Sequence, residues 1–435
     1  MERRSGLWIA STPARLWRVQ GRPIAATRIA DVNLRLDETL DQLWEGFGGG
    51  ISERGWEALA LLKGSDRSRA YHALFNHEEG CRFHYGRIPV GASNLALDAY
   101  SLNDAPGDLS MKQFSVARDR KRLIPFLRIP LERIPKFKIV ACPWSPPDWM
   151  KASPAADRGR LAWNPVMLES YALYLVRFVE EYRSEKIRID HLLIQNEPTA
   201  GGRQSGCFWT GAQLRDFIRN TLGPMFVRRR ITTRLWLGAL DSSSYSNTAL
   251  TVLSDPMALQ FLSGVACQHG ARDMLPRIRR AFPDILLMQS DCGEGDGRNA
   301  WEQAHGVFNV VQRAITSGAG ICLYDNMVFP EGGRNREGLG MNSLITVNPE
   351  KRTFALTPDY HVFRHFSCLT DRYAVRLGLS GDWADRAVAF FNEQDESRVL
   401  VVHNPDTKLQ RVVLDDHGRR LIMVLQPQSF NTVVL

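Results

Sequence analysis

Two acidic residues, Glu197 and Asp291, each come shortly after a run of apolar residues. Leu192 to Ile194 precede Glu197, and Ile285 to Met288 precede Asp291. Two carboxyl groups that face each other can cleave a glycosidic bond, because one protonates the leaving oxygen while the other attacks the sugar or activates a water. A simpler alternative is that Glu197 only caps a following helix or lies in a surface loop.

The strands before these acids should decide where the two carboxyl groups lie. Leu192 to Ile194 predict a short strand with both faces covered, and Pro198 predicts that this strand ends near Glu197, because proline cannot donate to the ladder. An acid at the C-terminal end of a buried parallel strand points into the mouth of an α/β barrel. We therefore expect Glu197 and Asp291 to face each other across such a mouth.

The middle of the chain alternates between apolar strands and helical patterns, which predicts an α/β fold, most economically a (β/α)8 TIM barrel. The predicted strands are Phe83 to Ile88, Lys138 to Cys142, His191 to Gln195, Arg234 to Ala239, Gly264 to Cys267, Ile285 to Gln289 and Gly320 to Tyr324. The predicted helices are Leu168 to Ser184, Thr210 to Thr221 and Ala300 to Thr316. An open doubly wound sheet is the alternative, but the chain has neither a Gly-x-Gly-x-x-Gly after a strand nor a Walker loop.

Both ends of the chain have a different sequence pattern from the middle. After about Phe366, short strands alternate with polar turns and predict an antiparallel β-domain, which the N-terminal strands should complete. The predicted division is residues 1–43 as N-terminal strands of this β-domain, 44–366 as the barrel and 367–435 as the C-terminal β-domain. Gly46 to Gly50 predict a tight turn between the first two parts.

Composition excludes several classes of protein. The 435 residues are 44% hydrophobic and 23% charged, and the net charge of +8 is spread along the chain without a nucleic-acid-binding module. The seven cysteines are scattered and suggest buried, reduced thiols. Neither a signal peptide nor a membrane span is visible, so we expect a cytoplasmic protein, or a secreted one if a leader precedes the chain.

Motifs in a consistent order along the chain resemble those of glycoside hydrolase family 30, which contains glucosylceramidases, β-xylosidases and endo-β-1,6-glucanases. The matching motifs include Gly46-Phe47-Gly48-Gly49, Arg87-Ile88-Pro89-Val90-Gly91-Ala92-Ser93, Tyr100-Ser101-x-Asn103-Asp104, Pro143-Trp144-Ser145-Pro146-Pro147-x-Trp149-Met150-Lys151, Gln195-Asn196-Glu197-Pro198, Cys207-Phe208-Trp209-Thr210, Gly295-Asp296-Gly297-x-Asn299-x-Trp301 and Asn342-Ser343-Leu344-Ile345. The resemblance implies a (β/α)8 barrel with a side β-structure and a retaining double displacement on a β-linked carbohydrate or glycolipid. It implies no cofactor and no metal.

The resemblance also implies roles for individual residues. Glu197 is the acid/base, and Asn196 binds the 2-hydroxyl of the sugar. Arg87 is an active-site arginine, and Trp144 is an aromatic residue that faces the sugar. Asp291 holds the nucleophile position, because the family's second catalytic Glu falls there when residues are counted back from Trp301 without a gap.

Four positions of the expected sugar site depart from the family pattern. Asp291 replaces the nucleophilic Glu, and Asn94 replaces an Asp that usually follows Gly-Ala-Ser. His269 stands where an aromatic residue, usually Trp, is common, and Asp325 stands where a Trp is expected. The pocket should therefore be more polar, and we expect it to accept a sugar other than glucose or xylose, either cationic or more heavily hydroxylated.

The altered nucleophile position leaves three alternatives open. Asp291 can serve as the nucleophile, although Asp is one methylene shorter than Glu, and a misplacement of about 1 Å can cost on the order of a hundredfold in rate. Glu294 can take over from the glycine-rich segment Gly293 to Gly297, although a flexible loop positions a nucleophile poorly. In the third alternative hydrolysis is lost, and the chain is a carbohydrate-binding or regulatory protein.

Overall fold

The structure is a computed structural model that describes residues 6–26, 31–152, 159–199, 206–241, 245–293 and 295–435. The strands are β1 (Trp8–Thr12), β2 (Arg15–Val19), β3 (Ile24–Ala25), β4 (Leu34–Leu43), β5 (Gly46–Gly50), β6 (Tyr85–Val90), β7 (Lys138–Pro143), β8 (His191–Leu193), β9 (Arg234–Leu240), β10 (Leu262–Cys267), β11 (Leu286–Gln289), β12 (Ile321–Tyr324), β13 (Val328–Pro330), β14 (Ile345–Asn348), β15 (Thr353–Leu356), β16 (Val375–Ser380), β17 (Ala387–Asn392), β18 (Ser397–Asn404), β19 (Gln410–Asp416), β20 (Arg419–Leu425) and β21 (Ser429–Val434). The α-helices are α1 (Glu53–Leu61), α2 (Gly64–Phe75), α3 (Leu123–Arg133), α4 (Pro165–Ser184), α5 (Gly211–Phe217), α6 (Gly223–Arg228), α7 (Thr251–Leu253), α8 (Pro256–Leu259), α9 (Leu275–Ala281), α10 (Trp301–Thr316) and α11 (Pro358–Ser367).

Strands β5 to β12 form a closed parallel barrel in chain order, with β12 pairing back onto β5. This confirms the predicted (β/α)8 TIM barrel and excludes the open doubly wound sheet. Each of the seven predicted barrel strands overlaps one of β6 to β12. None of the helices in the described part of the chain has the combination of length and apolarity that crossing a membrane requires.

The eighth barrel strand is β5, so the tight turn predicted at Gly46 to Gly50 is wrong. Glycine is needed in β5 because neighbouring backbone approaches closely. A Cβ on Gly48 would lie 2.1 Å from the Tyr85 carbonyl oxygen, and a Cβ on Gly50 would lie 1.9 Å from the Asp325 carbonyl oxygen. The glycines therefore let the wall of the barrel close, and they are not there to reverse the chain.

Side chains from strands β6 to β12 fill the barrel interior, so that it is a packed core and not a pore. The buried cluster consists of Tyr85, Val140, Cys142, Leu193, Trp236, Ala239, Ala266, Met288, Ile321 and Leu323. The indole N–H of Trp236 donates to His191 Nδ1 at 2.9 Å inside this core. Burial lowers the pKa of His191 to about 3, so this ring is neutral and belongs to the core.

Several helices begin at side-chain caps, which fixes where each strand–helix connection ends. Ser52 accepts a hydrogen bond from the Gly55 N–H at the start of α1, and Asn164 accepts one from the Met167 N–H at the start of α4. Thr210 caps α5 in the same way. Each cap satisfies an N–H that has no partner within its helix.

The termini together form a ten-stranded sheet in the order β2-β1-β21-β18-β17-β16-β4-β19-β20-β3. The predicted completion of the C-terminal β-domain by N-terminal strands is confirmed, because β1 pairs with β21 and β4 pairs with β16 and β19. A small sheet of β13, β14 and β15 lies beside the barrel and was not predicted.

Polar contacts join the ten-stranded sheet to the helices of the barrel. The buried His365 ring in α11 lies 2.9 Å from both Ser11 Oγ in β1 and Thr432 Oγ1 in β21. His305 Nδ1 in α10 lies 2.6 Å from His403 Nε2 in β18. The barrel and the sheet thus share a specific interface, which fixes how they sit on each other.

We expect that replacing Arg118 by alanine destabilises the barrel substantially. Arg118 makes a bidentate ion pair with Glu53, at 2.7 and 2.9 Å, and the Glu53 side chain is only 1% exposed. The substitution leaves this carboxylate buried without its cation, which typically costs about 3–5 kcal/mol. Denaturant unfolding measures the effect.

The matched control is Arg69→Ala, since Arg69 pairs with Asp66 across an exposed i,i+3 contact in which the Arg69 side chain is 72% exposed. Exposed pairs contribute only about 0–1 kcal/mol. Equal losses of unfolding free energy in both variants would contradict the assignment of Arg118 as the buried ion pair's cation.

Candidate active site

Glu197 and Asp291 both lie at the carboxyl edge of the barrel, just beyond β8 and β11. The Asn196 N–H donates to the Pro143 carbonyl at 2.8 Å, and the Glu197 N–H donates to the Ala239 carbonyl at 2.9 Å, so the segment is tied to both neighbouring strands. Glu197 has a φ of +47°, in the left-handed region that non-glycine residues adopt at a cost. Such backbone strain is concentrated at functional sites and supports a special role for this residue.

Arg87, near the middle of β6, connects the two acidic segments. Its Nη2 donates to Asn196 Oδ1 at 2.5 Å, and its Nη1 donates to the Ser290 carbonyl at 3.0 Å. Asn196 directly precedes Glu197, and Ser290 directly precedes Asp291. One buried guanidinium group therefore holds the residue before each acid, and so fixes the two acids relative to each other.

The side-chain amide of Asn196 has a defined orientation. Its Oδ1 accepts hydrogen bonds from Arg87 and from Gln268 Nε2, the latter at 3.0 Å. Two donors on the oxygen leave the NH₂ group as the part of this side chain that can donate to a ligand. That orientation suits the predicted contact between Asn196 and a sugar hydroxyl oxygen.

Trp144 follows β7 and lies against the same arginine. The Arg87 guanidinium carbon is 4.9 Å from the centroid of the indole ring, within the range of a cation–π contact. Gln195 Nε2 also donates to the Trp144 carbonyl at 2.7 Å. The ring also packs against the buried interior of the barrel.

The surroundings of Asp291 raise the pKa of its carboxyl group. Burial raises the pKa of its carboxyl group well above the ordinary value, and the neighbouring charge of Asp325 raises this pKa further. The Arg87 cation and the Gly293 N–H, which donates to Asp291 Oδ1 at 3.0 Å, lower it, while Glu197 raises it. Asp291 therefore holds a proton at higher pH than an ordinary aspartate.

The Arg87 guanidinium keeps its charge. Burial alone would lower its pKa, but Cys142, Asp325 and Asp291 together outweigh this effect and raise the pKa. Arg87 Nη2 is also 3.6 Å from Cys142 Sγ. A permanent cation therefore lies near the carboxyl groups of Asp291 and Asp325.

The other predicted site residues lie at the same edge of the barrel. His269 begins the turn after β10, where its Nε2 accepts a hydrogen bond from Arg272 Nη1 at 2.6 Å. Asn94 lies in the segment after β6, and its carbonyl accepts from the Arg336 N–H at 2.8 Å. The predicted alternative nucleophile, Glu294, lies outside the described residues.

Sequence reasoning missed two contributors to the site. Gln268 orients Asn196, and the Ser290 carbonyl anchors Arg87. The available signal is position, because Gln268 directly precedes His269 and Ser290 directly precedes Asp291, both of which are predicted site residues.

A groove of about 220 Å³ opens on the same edge of the barrel, between the segments that follow β6 and β7. It is lined by Ala92, Ala99, Tyr100, Ser101, Asp104, Ser145, Pro146, Asp148, Lys151 and Arg336. Among the described residues, no group of three or more His, Cys, Asp or Glu side chains could hold a metal ion.

The fold and this edge define a class, the (β/α)8-barrel proteins that carry acidic residues at the carboxyl ends of their strands. Residues 44–369 match the family described as "Glycosyl hydrolase family 30 TIM-barrel domain". Because the match covers most of the chain, the protein belongs to glycosyl hydrolase family 30. The family membership that the motifs predicted is confirmed.

Relatives and solved structures agree with this assignment. The chain is 24% identical over 409 residues to the lysosomal acid glucosylceramidase of Mus musculus, covering 88% of this chain and 79% of the mouse protein. It is 26% identical over 396 residues to the endo-1,6-beta-D-glucanase of Neurospora crassa, covering 85% and 81%. The crystal structure of SrfJ from Salmonella typhimurium superposes with a TM-score of 0.89 at 21% identity over 99% of both chains, which shows the common fold.

Proposed function

We propose that this protein hydrolyses a β-linked glycoside by a retaining double displacement, with Glu197 as acid/base and Asp291 as nucleophile. The observation that carries the proposal is the bridge made by Arg87 between the residues before the two acids. A pair of carboxyl groups held in a fixed relation and in different surroundings is what this reaction requires.

The reaction begins when an Asp291 carboxylate oxygen attacks the anomeric carbon. The bond between that carbon and the leaving oxygen breaks, and the leaving oxygen takes its electron pair and the Glu197 proton. In the second step water attacks the anomeric carbon and gives a proton to Glu197. The bond between that carbon and the Asp291 oxygen breaks, and its electron pair stays on Asp291. Asn196 and Arg87 hold the sugar and the two acidic segments in place, which reduces the entropic part of the barrier.

The substrate is proposed to be a carbohydrate or glycolipid of the kinds acted on by the relatives, a glucosylceramidase-type glycolipid or a β-1,6-glucan. The sugar next to the cleaved bond contacts a polar wall, because Asp325 and His269 replace stacking aromatic residues there. This wall favours a sugar with an additional hydroxyl or a cationic group over plain glucose. Tight binding of simple β-glucosides through ring stacking would count against that preference.

We expect the wild-type protein to turn over members of an aryl β-glycoside panel that includes gluco-, xylo-, galacto- and 2-amino sugars. Proton NMR of the first product should show the β-anomer, because two displacements restore the configuration at the anomeric carbon. The double variant Glu197→Gln/Asp291→Asn is the control for contaminating activity. If the wild type is no faster than this variant on any sugar, the proposal fails.

A second candidate function is sugar binding without hydrolysis. The favouring observation is Asp291, whose side chain is one methylene shorter than Glu and whose pKa is raised by burial, because a protonated carboxyl group is not a nucleophile. In that case isothermal titration calorimetry should detect oligosaccharide binding, while the same sugars remain uncleaved.

A further inference from the structure

We propose that Asp325 is the partner of Asp291, and that the two carboxyl groups share one proton whose departure frees Asp291 to attack the sugar. Asp325 is thereby a positioning residue for the proposed nucleophile and not a second nucleophile. The inference rests on the proposed function for its kinetic consequence, but the shared proton itself can be tested without turnover.

The first support is the placement of the two residues on neighbouring strands. Strand β11 pairs with β12 in parallel, with Met288 opposite Ile321 and Gln289 opposite Cys322. The pairing continues past the end of β11, because the Cys292 N–H donates to the Leu323 carbonyl at 2.9 Å. This register places Asp291 beside Tyr324, so that Asp325 follows directly on the adjacent strand.

The second support is the space between them. A Cβ built on Gly293 would lie 3.5 Å from Asp291 Oδ1 and 3.4 Å from the Asp325 Cβ. The absent side chain of Gly293 thus leaves both acidic side chains against the same small volume. Two acids that border the same small volume repel each other when both are ionised, which favours one proton held by the pair.

The third support is the balance of charge around the pair. Arg87 from β6 is the cation that acts on Asp291, while Glu197 after β8 and Asp325 after β12 are the acids that act on it. Among the described residues, Cys142, Cys292 and Tyr324 are further titratable groups near the site, and burial raises the pKa of each, so they stay neutral. Because Arg87 is one cation against several acids, it does not remove the repulsion between Asp291 and Asp325, which favours a proton held by the pair.

The shared proton has a consequence for the reaction. When Asp291 forms the glycosyl ester it becomes neutral, and its repulsion of an Asp325 carboxylate disappears. The shared proton leaves to solvent before this attack, so that Asp291 reacts as a carboxylate beside an ionised Asp325. Asp325 therefore governs the pH at which the first step proceeds, while the leaving-group proton still comes from Glu197.

The kinetic test compares the pH dependence of kcat/KM for the wild type and for Asp325→Asn on the full chain. We expect the acid limb to move to lower pH by about one unit or more in the variant, because a neighbouring negative charge is removed from Asp291. Asp325→Glu keeps a carboxyl group and should keep the acid limb near its wild-type position. A purely structural role of Asp325 would lower kcat without moving the acid limb.

The matched control is Asp148→Asn. Asp148 lies on the same edge of the barrel, but its side chain is 79% exposed and pairs with Lys151 at 2.7 Å. Removing this charge should leave the acid limb unchanged, because solvent screens it. An equal shift in both variants would overturn the specific pairing of Asp325 with Asp291.

A second measurement needs no activity. NMR titration of protein with ¹³C-labelled aspartate carboxyl groups, assigned with Asp291→Asn and Asp325→Asn, should show that each substitution lowers the titration midpoint of the remaining partner. This result without any turnover would support the shared proton and refute the proposed hydrolysis. Turnover with an unmoved acid limb and unmoved midpoints would refute the shared proton and leave the hydrolysis standing.

Discussion

Replacing Glu197 by glutamine is expected to lower kcat/KM for β-glycosides with poor leaving groups by about 10²–10⁴-fold, the usual contribution of a positioned general acid. The reason is that the leaving oxygen must otherwise depart as an unprotonated anion. Steady-state kinetics on alkyl and aryl glycosides of the preferred sugar measures the effect. The backbone contact of Glu197 with Ala239 does not involve its side chain, so the fold should survive the change.

The choice of leaving group provides the internal control for this variant. A dinitrophenyl group departs readily without a proton, so the first step of Glu197→Gln should be nearly as fast as in the wild type on that substrate. A nucleophile variant has no such dependence. If Glu197→Gln loses the same factor on dinitrophenyl and on alkyl glycosides, Glu197 is not the general acid.

Asp291→Asn is expected to abolish hydrolysis and at the same time to stabilise the folded protein at neutral pH. Activity is lost because the amide cannot form the glycosyl ester. Stability rises because burial and Asp325 raise the pKa of Asp291 in the fold, so its charged form is disfavoured there, and each unit of this shift corresponds to about 1.4 kcal/mol. Thermal unfolding of both proteins over a range of pH measures the gain.

The sign of the pH dependence follows from the raised pKa. The folded state of the wild type binds the Asp291 proton more tightly than the unfolded chain does. Wild-type stability therefore falls as the pH rises from the ordinary aspartate pKa, about 4, to the raised pKa of the folded state. The advantage of Asp291→Asn should therefore be full above the folded-state pKa and disappear below about pH 4, the ordinary value for aspartate. A constant difference in unfolding free energy across this range would contradict the assignment.

Asp291→Glu separates chain length from chemistry at the same position. It restores the methylene that aspartate lacks, and a correction of about 1 Å can be worth on the order of a hundredfold in rate. We expect a gain in kcat if the shorter side chain limits the reaction. An inactive Asp291→Glu alongside an active wild type would show instead that the pocket around Gly293 and Asp325 is built for aspartate.

Much of the fold followed from local pattern. The barrel strands β6 to β12 and helices α4 and α10 were predictable because apolar runs and helical periodicity act over a few residues. Strand β5 was not predictable in this way, since its glycines look like a turn until the Tyr85 and Asp325 carbonyls are seen to approach them. The β13–β15 sheet was not predicted because β14 and β15 are only partly buried and lack the continuous apolar runs of the barrel strands.

The sequence by itself determined the family, the barrel and the identity of the candidate acids, because these depend on residue types in a fixed order. Only the tertiary structure decided how the acids are related. Arg87 reaches Asn196 and Ser290, which are distant in the chain, and Asp325 joins Asp291 only because β11 and β12 are neighbours. Such contacts depend on strand register and barrel closure, which no local stretch of sequence encodes.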